Sequence, residues 1–295
     1  MPIKASRREV SATSILFTTE RKLRAPWRVL IFLTVLVCAL ILTSGIESAV
    51  EGFESAKGYV PLVSNWGIPL GVLIATAVNL KWVDGAGWSY VWLGKDALEP
   101  SRLINGTFWG LLAIGVPSAF LLITHELSSI PAAPGSWAYA AAISFANLLP
   151  AALGEELLLR GYIFAVLRES IGWRWTLIAT SIVFGLLHVP NPGSDAQAIA
   201  VVMLAGFFLG AILLATRSLY AATLAHFAWN WFMAAGLHSP VSGIPVSNPG
   251  YQVIDSGPDW LTGGVWGPEG GFAAAVGMFA VLIYLFARPL RRMES

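Results

Sequence analysis

The sequence contains little charge and a single cysteine. Only 12% of its 295 residues are Asp, Glu, Lys or Arg, while 56% are hydrophobic; soluble domains average about 25% charged residues. This composition excludes a soluble globular protein and indicates an integral, multi-pass membrane protein. The net charge of +1 provides no basis for nucleic-acid binding. The one cysteine, Cys38, excludes an intramolecular disulfide and therefore says nothing about the cellular compartment.

Eight mostly apolar stretches are candidates to cross a bilayer, which requires about 20 residues of helix. They predict an all-α, polytopic membrane protein with about eight transmembrane helices. The predicted spans are 27–46, 61–80, 103–124, 136–168, 174–189, 198–215, 219–236 and 272–288. The first span follows a basic tail and is predicted to be a retained signal-anchor, because it is too long for a signal peptide.

The positions of Lys and Arg predict how the chain is oriented. With eight spans and the N-terminus inside, sixteen of the 18 basic residues fall on the cytoplasmic side, where such residues are enriched. We therefore predict that both termini are cytoplasmic. The predicted organisation is a basic tail (1–26), three N-terminal helices (27–135), a helical core (136–236), an outer loop of unassigned function (237–271) and a last helix with a basic tail (272–295).

Apart from arginines at the ends of spans, the charged and histidine side chains within the membrane lie in three of the predicted spans, all between residues 147 and 230. A charged group at the bilayer centre costs about 2.5–3.5 kcal/mol on insertion scales, so such residues usually have a function. The fourth span contains Glu155, Glu156 and Arg160, the fifth ends with Phe184 and His188, and the seventh contains His226 and Asn230.

The spacing of these residues predicts that they lie at similar depths. The fourth and fifth spans are expected to form an antiparallel hairpin that turns near Gly172. Glu155 lies 17 residues before Gly172 and His188 lies 16 residues after it, so both are about 25 Å along the helices from the turn. His226 and Asn230 are separated by four residues and share one helical face.

Two adjacent glutamates on a helix point in different directions, so Glu155 and Glu156 are predicted to differ in role. Glu156 and Arg160 are spaced i and i+4, with the acid first, which favours an ion pair. Glu155 is then the free carboxylate and is placed to act as a general base.

Structural explanations of the same residues remain open at this stage. Glu155, Glu156 and Arg160 could form a buried ion-pair cluster that only fixes helix register. His188 could face the membrane interface, and His226 with Asn230 could join helices by hydrogen bonds. The two other histidines, His125 and His238, are predicted to be solvated at the outer ends of spans.

The three motifs Glu-Glu-x-x-x-Arg, Phe-x-x-x-His and His-x-x-x-Asn, in this order on successive spans, resemble the CPBP (CAAX protease and bacteriocin-processing, or Abi) family, which includes the type II CAAX prenyl endopeptidases. The resemblance covers roughly residues 140–235. It implies an eight-helix intramembrane endopeptidase of the bacterial plasma membrane. It further implies that Glu155 and His188 activate a water, that His226 and Asn230 stabilise the oxyanion, and that Glu156, Arg160 and Phe184 shape the site.

Three of the predicted site residues are also of types that bind zinc. Glu155, His188 and His226 could supply three zinc ligands. If Glu155 bound zinc, however, no obvious separate base would remain, and if it were the base, two histidines would be a sparse ligand set. The resemblance implies that the glutamate acts directly on water, so we predict that no cofactor is used. The predicted partners are the lipid bilayer and a membrane-associated or prenylated peptide, cleaved near the cytoplasmic side; no nucleic acid is expected.

Two functions of other classes remain as alternatives. A transporter or proton-coupled carrier would also place Glu and His inside the membrane, but would be expected to contain internal repeats and broken helices. A non-catalytic bacteriocin-immunity or scaffold protein would use the same fold for binding alone.

Overall fold

A computed structural model of the chain describes residues 15–20, 22–53, 60–246 and 248–287, except for the side chains of residues 60–63. Most of these residues are helical. We number the principal helices α1 (Ala25–Glu51), α2 (Val60–Val78), α3 (Pro100–Ile123), α4 (Trp137–Glu156), α5 (Tyr162–Leu187), α6 (Ala196–Thr216), α7 (Leu219–Trp231) and α8 (Phe272–Ala287). The predicted basic tails lie largely outside the described residues.

Several helices begin at polar residues whose side chains accept hydrogen bonds from the first turn. Glu99 accepts from the Ser101 amide before α3, and Ser136 accepts from the third residue of α4. Asp195 and Ser218 cap α6 and α7 in the same way. Such caps satisfy backbone N–H groups that have no partner within the helix.

Five helical stretches among the described residues are long and apolar enough to cross a membrane: Ala25–Glu51, Ser64–Asp84, Pro100–Ile123, Trp137–Leu187 and Ala196–Thr216. Phe272–Ala287 is a shorter apolar helix. Each of the eight predicted spans is helical over most of its length. The number of eight crossings and the orientation of the termini stay predictions.

The 51-residue stretch Trp137–Leu187 is not one straight helix. Gly172 has a φ of +79° and a ψ of 159°, which interrupts α5 in a conformation that suits glycine. The chain then runs back, because Glu155 before the break and His188 after it approach within 3.8 Å. The predicted hairpin at Gly172 is confirmed.

Three short π-helical segments in the described part of the chain depart from regular α geometry. Asn79–Asp84 follows α2, Leu157–Gly161 connects α4 to α5, and Phe232–Leu237 follows α7. A π-helical turn inserts an extra residue into a helix and is frequent at functional sites. The second segment contains Arg160 and begins directly after Glu156.

Helix α3 packs unusually closely against α7 through two glycines. A Cβ atom added to Gly106 would lie 2.2 Å from the carbonyl oxygen of Ala221, and one added to Gly110 would lie 2.2 Å from that of Ala225. These distances are far below van der Waals contact, so only glycine fits at either position. This packing fixes the helix that carries His226 and Asn230.

A buried arginine joins α1 to the following segments. Arg28 Nε lies 2.8 Å from Asp84 Oδ1, and its Nη1 lies 2.8 Å from Glu169 Oε2. Its Nη2 donates to the hydroxyl of Tyr90 at 2.7 Å. Burial and the hydrogen bond to Glu169 raise the pKa of the Tyr90 phenol above its usual range, so Tyr90 remains a neutral donor to that carboxylate.

The segment 237–271 contributes one strand to a short two-stranded sheet in the described part of the chain. Strand β1 (Leu127–Pro131) pairs antiparallel with β2 (Tyr251–Asp255), with Leu127 opposite Asp255. His238, predicted to be solvated, is instead fully buried. Its ring stacks on Tyr251 at 4.0 Å, because the segment folds back over the end of the helices.

Candidate active site

Glu156 forms the buried electrostatic centre of the site. Its Oε1 lies 3.1 Å from Arg160 Nη1 and also 3.1 Å from His226 Nδ1. Arg160 further donates from Nη2 to the carbonyl oxygen of Gly206 at 3.0 Å, and its guanidinium lies 4.3 Å from the Phe184 ring centre. One carboxylate thus joins α4, the π-helical turn and α7.

Glu155 points away from this ion pair and into a cavity. Its side chain is 40% exposed, whereas that of Glu156 is 0% exposed. Its Oε2 lies 3.8 Å from His188 Nε2 and 4.0 Å from His226 Nε2. Both distances are too long for a direct hydrogen bond and are suited to a bridging water. The three residues predicted to converge therefore do lie together.

The hydrogen bonds of the two histidines define which nitrogen faces Glu155. His188 Nδ1 lies 2.8 Å from the carbonyl oxygen of Phe184, which can only accept, so Nδ1 carries the proton. His226 Nδ1 likewise faces the carboxylate of Glu156. In both rings Nε2 is left to face the Glu155 side of the site.

Two adjoining cavities meet at the site. The larger has a volume of about 380 Å³ and contains Glu155, His188 and Asn230 among mostly apolar side chains. The smaller, about 30 Å³, is lined by His226, Asn230, Trp229 and other residues. Asn230 faces both cavities and is 8% exposed. The apolar lining of the larger cavity includes Leu148, Ala151, Leu158, Leu159, Leu187, Val241, Ile244 and Val246.

The His, Cys, Asp and Glu side chains are not arranged as a typical set of metal ligands in the described residues. Among the described residues, no group of three His, Cys, Asp or Glu side chains has the arrangement expected of metal ligands. Glu155, His188 and His226 are the nearest approach to such a set, with Oε2 to Nε2 separations of 3.8 and 4.0 Å. We therefore derive no chemical step through a metal.

The site lies away from the Gly172 turn. Glu155 is about 25 Å along the helix from that turn, and its cavity is lined by residues 241–246 of the outer segment. Glu169, beside the turn, contacts Arg28 and Lys22 near the N-terminus. Cleavage near the cytoplasmic side stays a prediction, as does the orientation of the chain in the membrane.

Residues 136–232 match the family model described as type II CAAX prenyl endopeptidase Rce1-like. This region of the chain is similar to the CAAX protease family. The match covers about a third of the 295 residues and includes all three motifs. No curated protein and no solved structure matches the chain. This match and the apolar helices together indicate an integral membrane protein.

Sequence analysis did not single out Glu269 or Trp229 as site residues. Glu269 lies in the predicted outer loop, yet it is 7% exposed and lines the smaller cavity. Its surroundings in the sequence, Gly-Pro-Glu-Gly-Gly before an apolar helix, suggest a tight turn but indicate no partner. Both residues line the smaller cavity, Trp229 from α7 and Glu269 from the segment 237–271.

Proposed function

We propose that this protein is an intramembrane endopeptidase that hydrolyses a peptide bond of a membrane-associated substrate with a glutamate-activated water. The observation that carries the proposal is the convergence of Glu155 with the Nε2 atoms of His188 and His226 at 3.8 and 4.0 Å. The similarity of residues 136–232 to the CAAX prenyl endopeptidase model supports the same class of reaction.

In this mechanism Glu155 and His188 hold the water between them. Each presents an acceptor, the carboxylate Oε2 and the imidazole Nε2, to one hydrogen of the water. The lone pairs of the oxygen are then directed at the scissile carbonyl carbon. Glu155 takes the proton as the new C–O bond forms, which is the role of a general base.

The developing oxyanion would be stabilised by His226 and Asn230 on α7. The Asn230 amide is a donor, and a protonated His226 would donate from Nε2 while Nδ1 donates to Glu156. The tetrahedral intermediate then collapses as the C–N bond breaks. Glu155 returns its proton to the leaving amine, so that the products are a new carboxyl terminus and a new amino terminus.

The larger cavity favours a substrate with apolar groups. Most of its lining is aliphatic, and the polar side chains are concentrated around Glu155, His188 and Asn230. A prenylated C-terminus, a hydrophobic leader peptide or another membrane-tethered peptide would fit this distribution of polarity. We place the reaction in the bacterial plasma membrane, and we expect no cofactor.

The test compares cells that express the active chain with cells that express the Glu155→Gln chain. Quantitative proteomics of C-terminal and leader peptides should find products that occur only with the active chain, at equal amounts of both proteins in the membrane. A carrier or scaffold would leave the peptides unaltered in both strains. Unaltered peptides in every tested substrate class would refute the proposal.

A further inference from the structure

Glu269 is a buried carboxylate supplied from outside the family match, which ends at residue 232. It lies in a short helical turn, Pro268–Gly270, immediately before α8, and is 7% exposed. A carboxylate out of water is strongly destabilising unless its oxygens accept hydrogen bonds. The partners of Glu269 therefore indicate why it is buried.

Both oxygens of Glu269 accept from neutral donors at the site. Oε2 accepts from the indole Nε1 of Trp229 at 2.6 Å, and Oε1 accepts from the backbone N–H of Ser242. Trp229 precedes Asn230 directly and lies three residues after His226 on α7. One end of the carboxylate is thus attached to the helix that carries the predicted oxyanion donors.

The other end is connected to the loop that follows His188. Ser242 accepts from Asn191 Nδ2 through its carbonyl oxygen at 2.9 Å, and the Asn191 amide donates to the His188 carbonyl at 3.0 Å. The turn is closely packed there, because a Cβ on Gly243 would lie 2.0 Å from the Pro192 carbonyl oxygen. Ser242 therefore links Glu269 to the loop that follows His188.

We propose that Glu269 is a positioning residue that holds the His226–Asn230 helix and the His188 loop at their working separation. The inference rests on the proposed endopeptidase function. It follows from this inference that the segment 237–271, the predicted outer loop, completes the active site. Small displacements of reacting groups can reduce rates by about a hundredfold, so a fixed separation matters for turnover.

The experiment uses full-length protein reconstituted in phosphatidylethanolamine and phosphatidylglycerol vesicles, with a fluorogenic farnesylated CAAX-type peptide as the probe. Glu269→Gln keeps the size of the side chain but presents an amide N–H₂ to one of the two donors. We expect kcat to fall by about tenfold or more with KM unchanged.

Trp229→Phe should have a similar effect on kcat. The double variant should lose little more activity than either single variant, because both substitutions remove the same linkage. Glu51→Gln, the same change on an exposed carboxylate, is the control.

Hydrogen exchange of the same variants separates positioning from local folding and does not depend on turnover. Glu269→Gln should accelerate exchange in segments containing 188–191 and 226–230, as well as in 241–246. Faster exchange confined to 241–246, or an unaltered kcat, would overturn the inference. A wild-type protein that cleaves no probe, with Glu155→Gln indistinguishable from it, would instead count against the proposed function.

Discussion

The adjacent carboxylates of Glu155 and Glu156 occupy different surroundings. The Glu156 side chain is 0% exposed and bound to Arg160 and His226, whereas the Glu155 side chain is 40% exposed and faces a cavity. One helical step of about 100° is sufficient to separate a buried, paired carboxylate from one that faces a cavity. This difference leads to a prediction for each residue.

Glu155→Gln should abolish proteolysis without reducing the thermal stability of the purified protein, because the replaced group makes no close ion pair. Glu156→Gln should lower the free energy of unfolding by about 3–5 kcal/mol, since it leaves Arg160 as an uncompensated buried charge. Thermal denaturation in detergent and cleavage assays measure the two effects. Equal destabilisation by both substitutions would contradict the assignment.

Gly110→Ala should destabilise the protein and reduce activity together. The new Cβ would lie 2.2 Å from the carbonyl oxygen of Ala225, the residue before His226. Overpacking of this kind costs about 1–3 kcal/mol and should displace α7. Gly45→Ala, at a helical glycine with nothing within 4 Å, is the matched control and should leave the melting temperature and activity intact.

Arg28→Ala should be far more destabilising than Lys22→Ala, although both residues pair with Glu169. The Arg28 side chain is 7% exposed, so its loss leaves Asp84 without its buried partner, at a cost of about 3–5 kcal/mol. Lys22 and Glu169 are 61% and 41% exposed, and such surface pairs contribute about 1 kcal/mol or less. The melting temperatures of the two variants test this difference in stability. Similar melting temperatures would refute the prediction.

Chelation should leave proteolysis unaffected if Glu155 acts directly on water. The purified protein would be assayed after dialysis against EDTA and after treatment with 1,10-phenanthroline. Loss of activity that one equivalent of zinc restores would reassign Glu155, His188 and His226 as ligands. Metal analysis of the purified protein provides an independent measurement of the same question.

Local features of this fold follow directly from the sequence. Long apolar stretches predict the helices because a membrane helix satisfies its own backbone hydrogen bonds. The i, i+4 spacing predicts the contact between Glu156 and Arg160, and equal distances from Gly172 predict that Glu155 and His188 lie level. The catalytic roles assigned to the motif residues stay predictions until the variants are measured.

Contacts between distant parts of the chain could not be predicted in this way. Glu269 binds Trp229 and Ser242 only because the outer segment folds over the helix ends, and His238 is buried for the same reason. The close approach of Gly110 to Ala225 likewise depends on how two helices cross. Sequence alone determined the helices, their polar motifs and the resemblance to a family, since these depend on composition and short-range spacing. Tertiary structure decided which nitrogen of each histidine faces Glu155 and which loop closes the site, because those depend on packing between segments far apart in the chain.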